Sequence, residues 1–161
     1  WLYEGGIRVP LILRWPGKIT KGSTTDELMT SMDLHPTLAA VAEASVDHLE
    51  LDGQNLLPLL KGATDSLESR SLFWHYPHYH RGSGMRPASA IRSGRYKLIE
   101  WHQRSLLKQT GALELYDLEQ DMGELSNLAD SLPEIKDQLY TQLKNWRTEV
   151  DAQMPAVRQK Q

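Results

Sequence analysis

Val9, Leu11, Ile12 and Leu13 follow one another with no polar alternation, a pattern that predicts a strand over residues 9–15 covered on both faces, as in the central sheet of an α/β domain. Pro16-Gly17 would stop it. Just before it, Glu4-Gly5-Gly6 reads as a tight loop, since paired glycines allow positive φ and a close approach to something bulky, the needs of a loop beside a pocket. Residues 19–26 are a polar connector, and residues 27–30 a short extended piece. Asp33 then offers an N-cap for a helix reaching about residue 44, with Pro36 tolerated in its first turn. A ligand or base role for Asp33 is the alternative. Leu56, Leu57, Leu59 and Leu60, with Gly62 beyond, predict one or two helical turns ended by glycine.

Residues 63–70 are polar and lack any period, and a subdomain boundary is placed there. Beyond it, four strands are predicted at 71–76, 88–92, 96–101 and 113–118, with a turn at Ser93-Gly94. Period-two alternation puts Tyr96, Leu98 and Glu100 on one face and Lys97, Ile99 and Trp101 on the other, so this strand is at least half covered on both sides. The insert 102–111 is polar and predicted to be a mobile loop. Ser131-Leu132-Pro133-Glu134 has capping-box spacing. Ile135, Leu139, Leu143, Trp146 and Val150 then recur on one helical stripe that ends at Met154-Pro155 and packs on a small antiparallel sheet. The tail from Ala156 is expected to fray.

Composition narrows the function classes. With 161 residues the chain has material for a real core. A net charge of −3 with both signs interspersed gives no reason to expect nucleic acid or an anionic membrane as partner, and no apolar run approaches spanning length. The absence of cysteine excludes disulfides and thiolate metal sites within the chain. Asn55, Asn127 and Asn145 are not in glycosylation acceptor sequences, which favours a bacterial periplasmic or secreted protein over a glycosylated eukaryotic one.

The segment His75-Tyr76-Pro77-His78-Tyr79-His80-Arg81-Gly82 gathers three imidazoles. It could ligate a metal, offer donors to an anionic or sugar-like substrate, or simply pack its aromatic groups. Glu114, Asp117, Asp121 and Glu124 could include a carboxylate pair, although their setting beside Gly123 and before the last helix suits turns and caps better. No P-loop, dinucleotide-binding glycine set, nucleophile elbow or His-Glu-x-x-His is present.

Tyr3-Glu4-Gly5-Gly6-Ile7-Arg8-Val9-Pro10 and Trp15-Pro16-Gly17 resemble the second signature region of the type I, formylglycine-dependent, arylsulfatase-like sulfatases. Further matches follow in the family's order: Asp33-Leu34-His35-Pro36-Thr37-Leu38, Leu51-Asp52-Gly53-Gln54-Asn55-Leu56, Leu72-Phe73-Trp74-His75-Tyr76-Pro77, Ala90-Ile91-Arg92-Ser93-Gly94-Arg95-Tyr96-Lys97-Leu98, and Glu114-Leu115-Tyr116-Asp117-Leu118. Glu124 and Asn127-Leu128-Ala129 close the series.

The resemblance implies the carboxy-terminal portion of such an enzyme. Residues 1–66 would be the end of the alkaline-phosphatase-like α/β catalytic domain, and residues 67–161 a four-stranded antiparallel subdomain packed by a long helix. It implies hydrolysis of an aryl or carbohydrate sulfate ester. The nucleophile, the sulfate-binding lysine of a Lys-Gly pair and the ligands of Ca²⁺ would all lie in a missing amino-terminal portion, the fragment's obligatory partner. The fragment alone is expected to be inactive, with no catalytic residue and no metal ligand of its own. Tyr3, Glu4, Gly5, Gly6 and Arg8 would support the active-site loop, with Glu4 and Arg8 paired to each other or to the adjoining sheet. His75, His78, His80 and Arg86 would meet substrate. A phosphonate or phosphate ester hydrolase of the same superfamily and a non-catalytic binding module are the alternatives.

Overall fold

The computed structural model describes residues 1–156. In chain order the elements are α1 (Glu4–Ile7), a 3-10 turn (Ser31–Asp33), α2 (Leu34–Val41), α3 (Leu57–Leu60), β1 (Ser71–Tyr76), β2 (Ala88–Ser93), β3 (Tyr96–Trp101), α4 (His102–Leu106), β4 (Leu113–Asp117) and α5 (Pro133–Glu149). They fall into two compact units: Trp1–Pro10 together with the chain from Arg70 on, and Leu11–Ser69.

In the larger unit the four strands form an antiparallel meander in the order β1-β2-β3-β4. The two-residue link from Ser93 to Tyr96 works because Gly94 takes φ 55°, the positive value the first position of a type II′ turn demands. Register aligns Trp74, Ala90, Ile99 and Glu114 across all four strands. The alternation expected in β3 is observed on both faces. Ile91, Leu98 and Leu115 pack with Leu139 and Leu143 of α5, and Phe73 stacks on Trp146 with ring centroids 4.8 Å apart. The opposite face carries Ala88, Ala90, Ile99, Trp101 and Tyr116, and it is covered by Leu2, Tyr3 and Ile7. The sheet is therefore a middle layer, with α5 on one side and the first residues of the chain on the other.

Leu132 rather than Ser131 stands at the N-cap of α5, and no side chain caps it. The Ser131 hydroxyl instead donates to the Leu128 carbonyl at 3.2 Å, so the capping-box spacing is present without the box. The helix ends at Glu149, and Asp151 takes φ 48°. The expected stop at Met154-Pro155 thus lies beyond the last helical turn.

The insert 102–111 is not a plain loop: it opens with α4. Its first residue, His102, is buried and its N–H donates to the Pro87 carbonyl at 3.0 Å. Anchoring one side chain in the interior is what lets a polar segment coil into a helical turn.

In the smaller unit the Asp33 carboxylate does not cap α2. It accepts the Thr30 N–H at 2.7 Å and the Gln54 N–H at 2.8 Å, tying two loops together. Gly53 is required there, since a Cβ would stand 2.1 Å from the Met32 carbonyl oxygen. Gly62 follows α3 at φ 70°, as its spacing predicts.

The strand expected over 9–15 is not formed. Val9 is 78 % and Ile12 88 % exposed, and neither lies in a ladder. No strand among the described residues pairs with this segment, and an apolar strand without neighbours on its edges and faces gains nothing from ordering. The tail expected to fray lies outside the described residues except for Ala156.

Candidate functional site

Glu4-Gly5-Gly6 coils into α1 rather than an open turn, and neither glycine takes positive φ. Gly6 is needed for the other reason: a Cβ there would stand 2.2 Å from the Trp1 carbonyl oxygen. The chain thus folds back on itself, and Trp1 and Tyr3 are pressed onto the sheet. Trp1, Tyr3 and Trp101 form a cluster with centroids about 6 Å apart, and Tyr3 continues it to Tyr116 at 6.2 Å.

A buried charge cluster fixes this segment from beneath. Lys97 Nζ lies 3.0 Å from Glu4 Oε1 and 2.9 Å from Glu124 Oε1, while Arg92 Nη1 lies 3.3 Å from Glu4 Oε2. Glu124 Oε2 also accepts the Glu4 N–H at 2.5 Å, at the start of α1. Glu4 is therefore paired with the sheet. Arg8 is not its partner and instead reaches Met122 Sδ at 3.1 Å. Gly5 is open, and a Cβ there would meet nothing within 4 Å.

Trp1 forms a ridge between two clefts. One, of about 270 Å³, is lined by Trp1, Leu2, Tyr76, His80, Ser83 and Met85. Its rim is set by a bridge between His80 and Met85, and the Trp1 indole N–H donates to the Ser83 carbonyl at 2.8 Å. His80 Nδ1 accepts the Ser83 N–H at 3.1 Å, which places its proton on Nε2 when the ring is neutral. The second cleft, of about 180 Å³, is lined by Arg86, Arg104, Gln103 and Glu114 with the Trp1, Tyr3 and Trp101 rings. Glu114 Oε2 accepts the Tyr3 hydroxyl at 2.7 Å and the Tyr116 hydroxyl at 3.1 Å. Burial, with the neighbouring Glu114 charge, raises both phenols well above the ordinary tyrosine range.

The four donors expected to meet substrate are thus divided. His80 and Arg86 flank Trp1. His78 is exposed, edge-on to Tyr76 with centroids 5.8 Å apart. His75 belongs to the opposite face, because it alternates with Trp74 and Tyr76 along β1. Its Nδ1 lies 2.7 Å from Ser89 Oγ and its Nε2 2.9 Å from the Gln153 carbonyl. Ser89 Oγ is 3.0 Å from His102 Nε2, and beyond His102 lies Glu100, bound to Arg147 at 2.5 Å and to the Tyr140 hydroxyl at 3.0 Å. This serine, histidine and carboxylate resemble a hydrolytic set only in composition, because all three are buried. Burial lowers His102 to about 4 and keeps the ring neutral. Among the described residues no group of three or more His, Asp or Glu side chains is placed to hold a metal ion. The acidic residues near Gly123 act largely in turns: Asp121 Oδ2 accepts the Leu125 and Ser126 N–H groups, and Asp117 accepts that of Glu119 while pairing with Arg95.

Sequence reasoning passed over Trp101 and Arg104 as cleft residues, and it read Glu114 as better suited to a turn or cap than to a site, whereas Glu114 lines the second cleft. The period-two face of β3 already placed Trp101 beside Lys97, but no spacing links those positions to Trp1.

A four-stranded antiparallel sheet backed by one long carboxy-terminal helix is a fold that this chain shares with solved sulfatase structures. The chain belongs to the family described as N-sulphoglucosamine sulphohydrolase, C-terminal, whose sequence model matches residues 1–149. It is 37 % identical to arylsulfatase A of Bos taurus over 94 % of this chain and 32 % of that protein. A structure solved in complex with its substrate D-glucosamine-2-N,6-O-disulfate has a TM-score of 0.67 at 22 % identity, covering 84 % of this chain and 27 % of that one. The phosphonate monoester hydrolase of Agrobacterium radiobacter shares the fold at a TM-score of 0.51 and 21 % identity, over 78 % of this chain and 26 % of that one. The chain spans about a third of the length of the bovine arylsulfatase.

Proposed function

We propose that this chain is the carboxy-terminal part of an enzyme that hydrolyses sulfate esters, and that it builds the wall of the pocket receiving the alcohol or phenol portion of the substrate. The observation that carries this reading is the position of Trp1 between two clefts, with His80 on one side and Arg86 on the other. In the resembling enzymes the residues matching Trp1-Leu2-Tyr3 directly follow the lysine that binds sulfate. Groups flanking Trp1 would then face the leaving group. Tyr3, Glu4, Gly6 and the Lys97 cluster hold that corner of the pocket in place, while Gly5 and Arg8 follow as parts of the same turn.

Formylglycine as nucleophile and Ca²⁺ as the ion stabilising charge on sulfuryl oxygens belong, on this reading, to the rest of the protein. The described residues do not fit a calcium site, so no step is assigned to the ion here. What this chain supplies is orientation. The Nε2–H of His80 and the Arg86 guanidinium are donors suited to a sulfated carbohydrate or aryl sulfate.

Rates of the full-length protein on 4-nitrophenyl sulfate and 4-nitrophenyl phosphate test the reading. Preference for the sulfate is expected. Preference for the phosphate would move the assignment to the phosphate and phosphonate hydrolases, whose fold is shared. Alanine at His80 is expected to raise KM for a sulfated sugar at least several-fold with little change in Tm, and a loss confined to stability would remove that histidine from the pocket.

A further inference from the structure

Trp101 and Gln103 both line the cleft of about 180 Å³ beside Trp1, and the residue between them, His102, does not. Its ring turns instead to the α5 face, where it is buried. His102 is also the one buried residue of the insert 102–111, whose other residues are half-buried or exposed. A polar segment with so little apolar burial takes its place from hydrogen bonds rather than from packing.

Those bonds are built into the register of the sheet. Pairing of β1 with β2 puts His75 opposite Ser89, and pairing of β2 with β3 puts Ser89 opposite Glu100, so the three form one cross-strand row. The Ser89 hydroxyl lies 2.7 Å from His75 Nδ1 and 3.0 Å from His102 Nε2, and one hydroxyl thus joins both rings. Glu100 receives Arg147 and Tyr140 from α5 and the Ser105 hydroxyl from α4. On the main chain, the His102 N–H donates to the Pro87 carbonyl at 3.0 Å. That bond ties the segment carrying Arg86 and Pro87 to the segment carrying Gln103 and Arg104, and all four residues line the cleft. Two parts of the cleft wall therefore meet at a residue that lies outside the cleft.

We propose that His102 is a positioning residue for this cleft: its ring, joined through Ser89 to His75, fixes α4 on the sheet and so sets where Gln103 and Arg104 stand against the leaving group of the substrate. His102 touches no substrate itself. A site is only as well placed as the hydrogen bonds behind it, and here those bonds reach through the sheet to β1 and α5. This role deepens the sulfatase reading and rests on it.

The test is steady-state hydrolysis of 4-nitrophenyl sulfate by the full-length protein, with Tm measured on each variant. His102→Leu and Ser89→Ala should each raise KM about tenfold while kcat stays within about twofold, the signature of a displaced binding wall. Both break the same chain, so the double variant should be no worse than the poorer single one. His102→Gln should restore KM to within about twofold of the parent, because its amide can donate to or accept from the Ser89 hydroxyl. Unchanged KM in Ser89→Ala and His102→Leu, or a fall in Tm with no change in KM, overturns the role, and so does a folded His102→Gln as impaired as His102→Leu. If His102→Leu does not fold, Ser89→Ala and His102→Gln decide. Amide hydrogen exchange scores the seat without substrate: residues 103–111 should exchange at least about tenfold faster in Ser89→Ala than in the parent, and equal rates overturn it. Absence of hydrolysis by the unsubstituted protein would instead overturn the sulfatase reading, with the exchange result still scoring the seat.

Discussion

Lys97 Nζ and Glu4 Oε1 lie 3.0 Å apart although the residues are separated by 93 positions, and Lys97 has no exposed surface. A buried ammonium is tolerable only because Glu124 adds a second carboxylate at 2.9 Å. Removing one partner of a buried charge cluster leaves the others uncompensated, a loss of about 3–5 kcal/mol. Lys97→Ala is therefore expected to lower the denaturation midpoint strongly and to release Trp1 from the sheet. Near-ultraviolet circular dichroism of the tryptophans would report that release together with the unfolding curve. Lys97→Met, which keeps volume, should be nearly as harmful, because Glu124 would lose its cation and Glu4 would keep only Arg92, at 3.3 Å.

Adjacent glycines should behave differently. Gly6→Ala puts a methyl group where the Trp1 carbonyl stands, and its nearest contacts are backbone atoms that cannot rotate away. A destabilisation of about 1–3 kcal/mol is expected, the range for overpacking. Gly5→Ala meets nothing within 4 Å and lies in a helical turn, so it should be neutral or slightly stabilising. Comparing the two melting temperatures separates steric need from conformational freedom, and equal losses would contradict the geometry.

The meander and α5 were legible because each strand carries its own alternation and the helix its own stripe. A face covered on both sides could even be inferred from Lys97, Ile99 and Trp101. What covers the second face could not be. The answer, Leu2, Tyr3 and Ile7, is separated along the chain from the sheet by the whole of the other unit, and no local period encodes such a contact. For the same reason the histidine cluster misled: sequence proximity joined His75 to His80, whereas β1 alternation sends His75 to the α5 face. The apolar run at 9–15 shows the converse limit, since hydrophobicity predicts burial but cannot supply the neighbours.

The α5 stripe is unequal along its length. Leu143 has no exposed surface and lies among Ile91, Leu98 and Leu115, whereas Val150 is 50 % exposed. Leu143→Ala should cost about 2–5 kcal/mol, and Val150→Ala well under about 1 kcal/mol. Chemical denaturation of both variants checks the contrast. Similar losses would mean that the end of α5 packs as tightly as its middle.

Acid should loosen the α5 face before the rest. His102 is held at about 4 against an ordinary 6.5, chiefly by burial and despite the nearby Glu100 charge. A base whose folded pKa is depressed binds fewer protons folded than unfolded between those two values, so stability falls as pH drops from about 6.5 to 4. The full effect, on the order of 3 kcal/mol, is present above the unfolded value and gone below the folded one. Glu100 acts at still lower pH. Burial pushes it upward, but the Ser105 hydroxyl and Arg147 outweigh burial and hold it below the ordinary glutamate value. Its contribution is thus kept above that value and lost as acid protonates it. Unfolding midpoints measured from about pH 7 to 4 should fall more steeply for the parent protein than for His102→Gln, which cannot take up the proton. Parallel slopes would show that His102 is not the group that titrates.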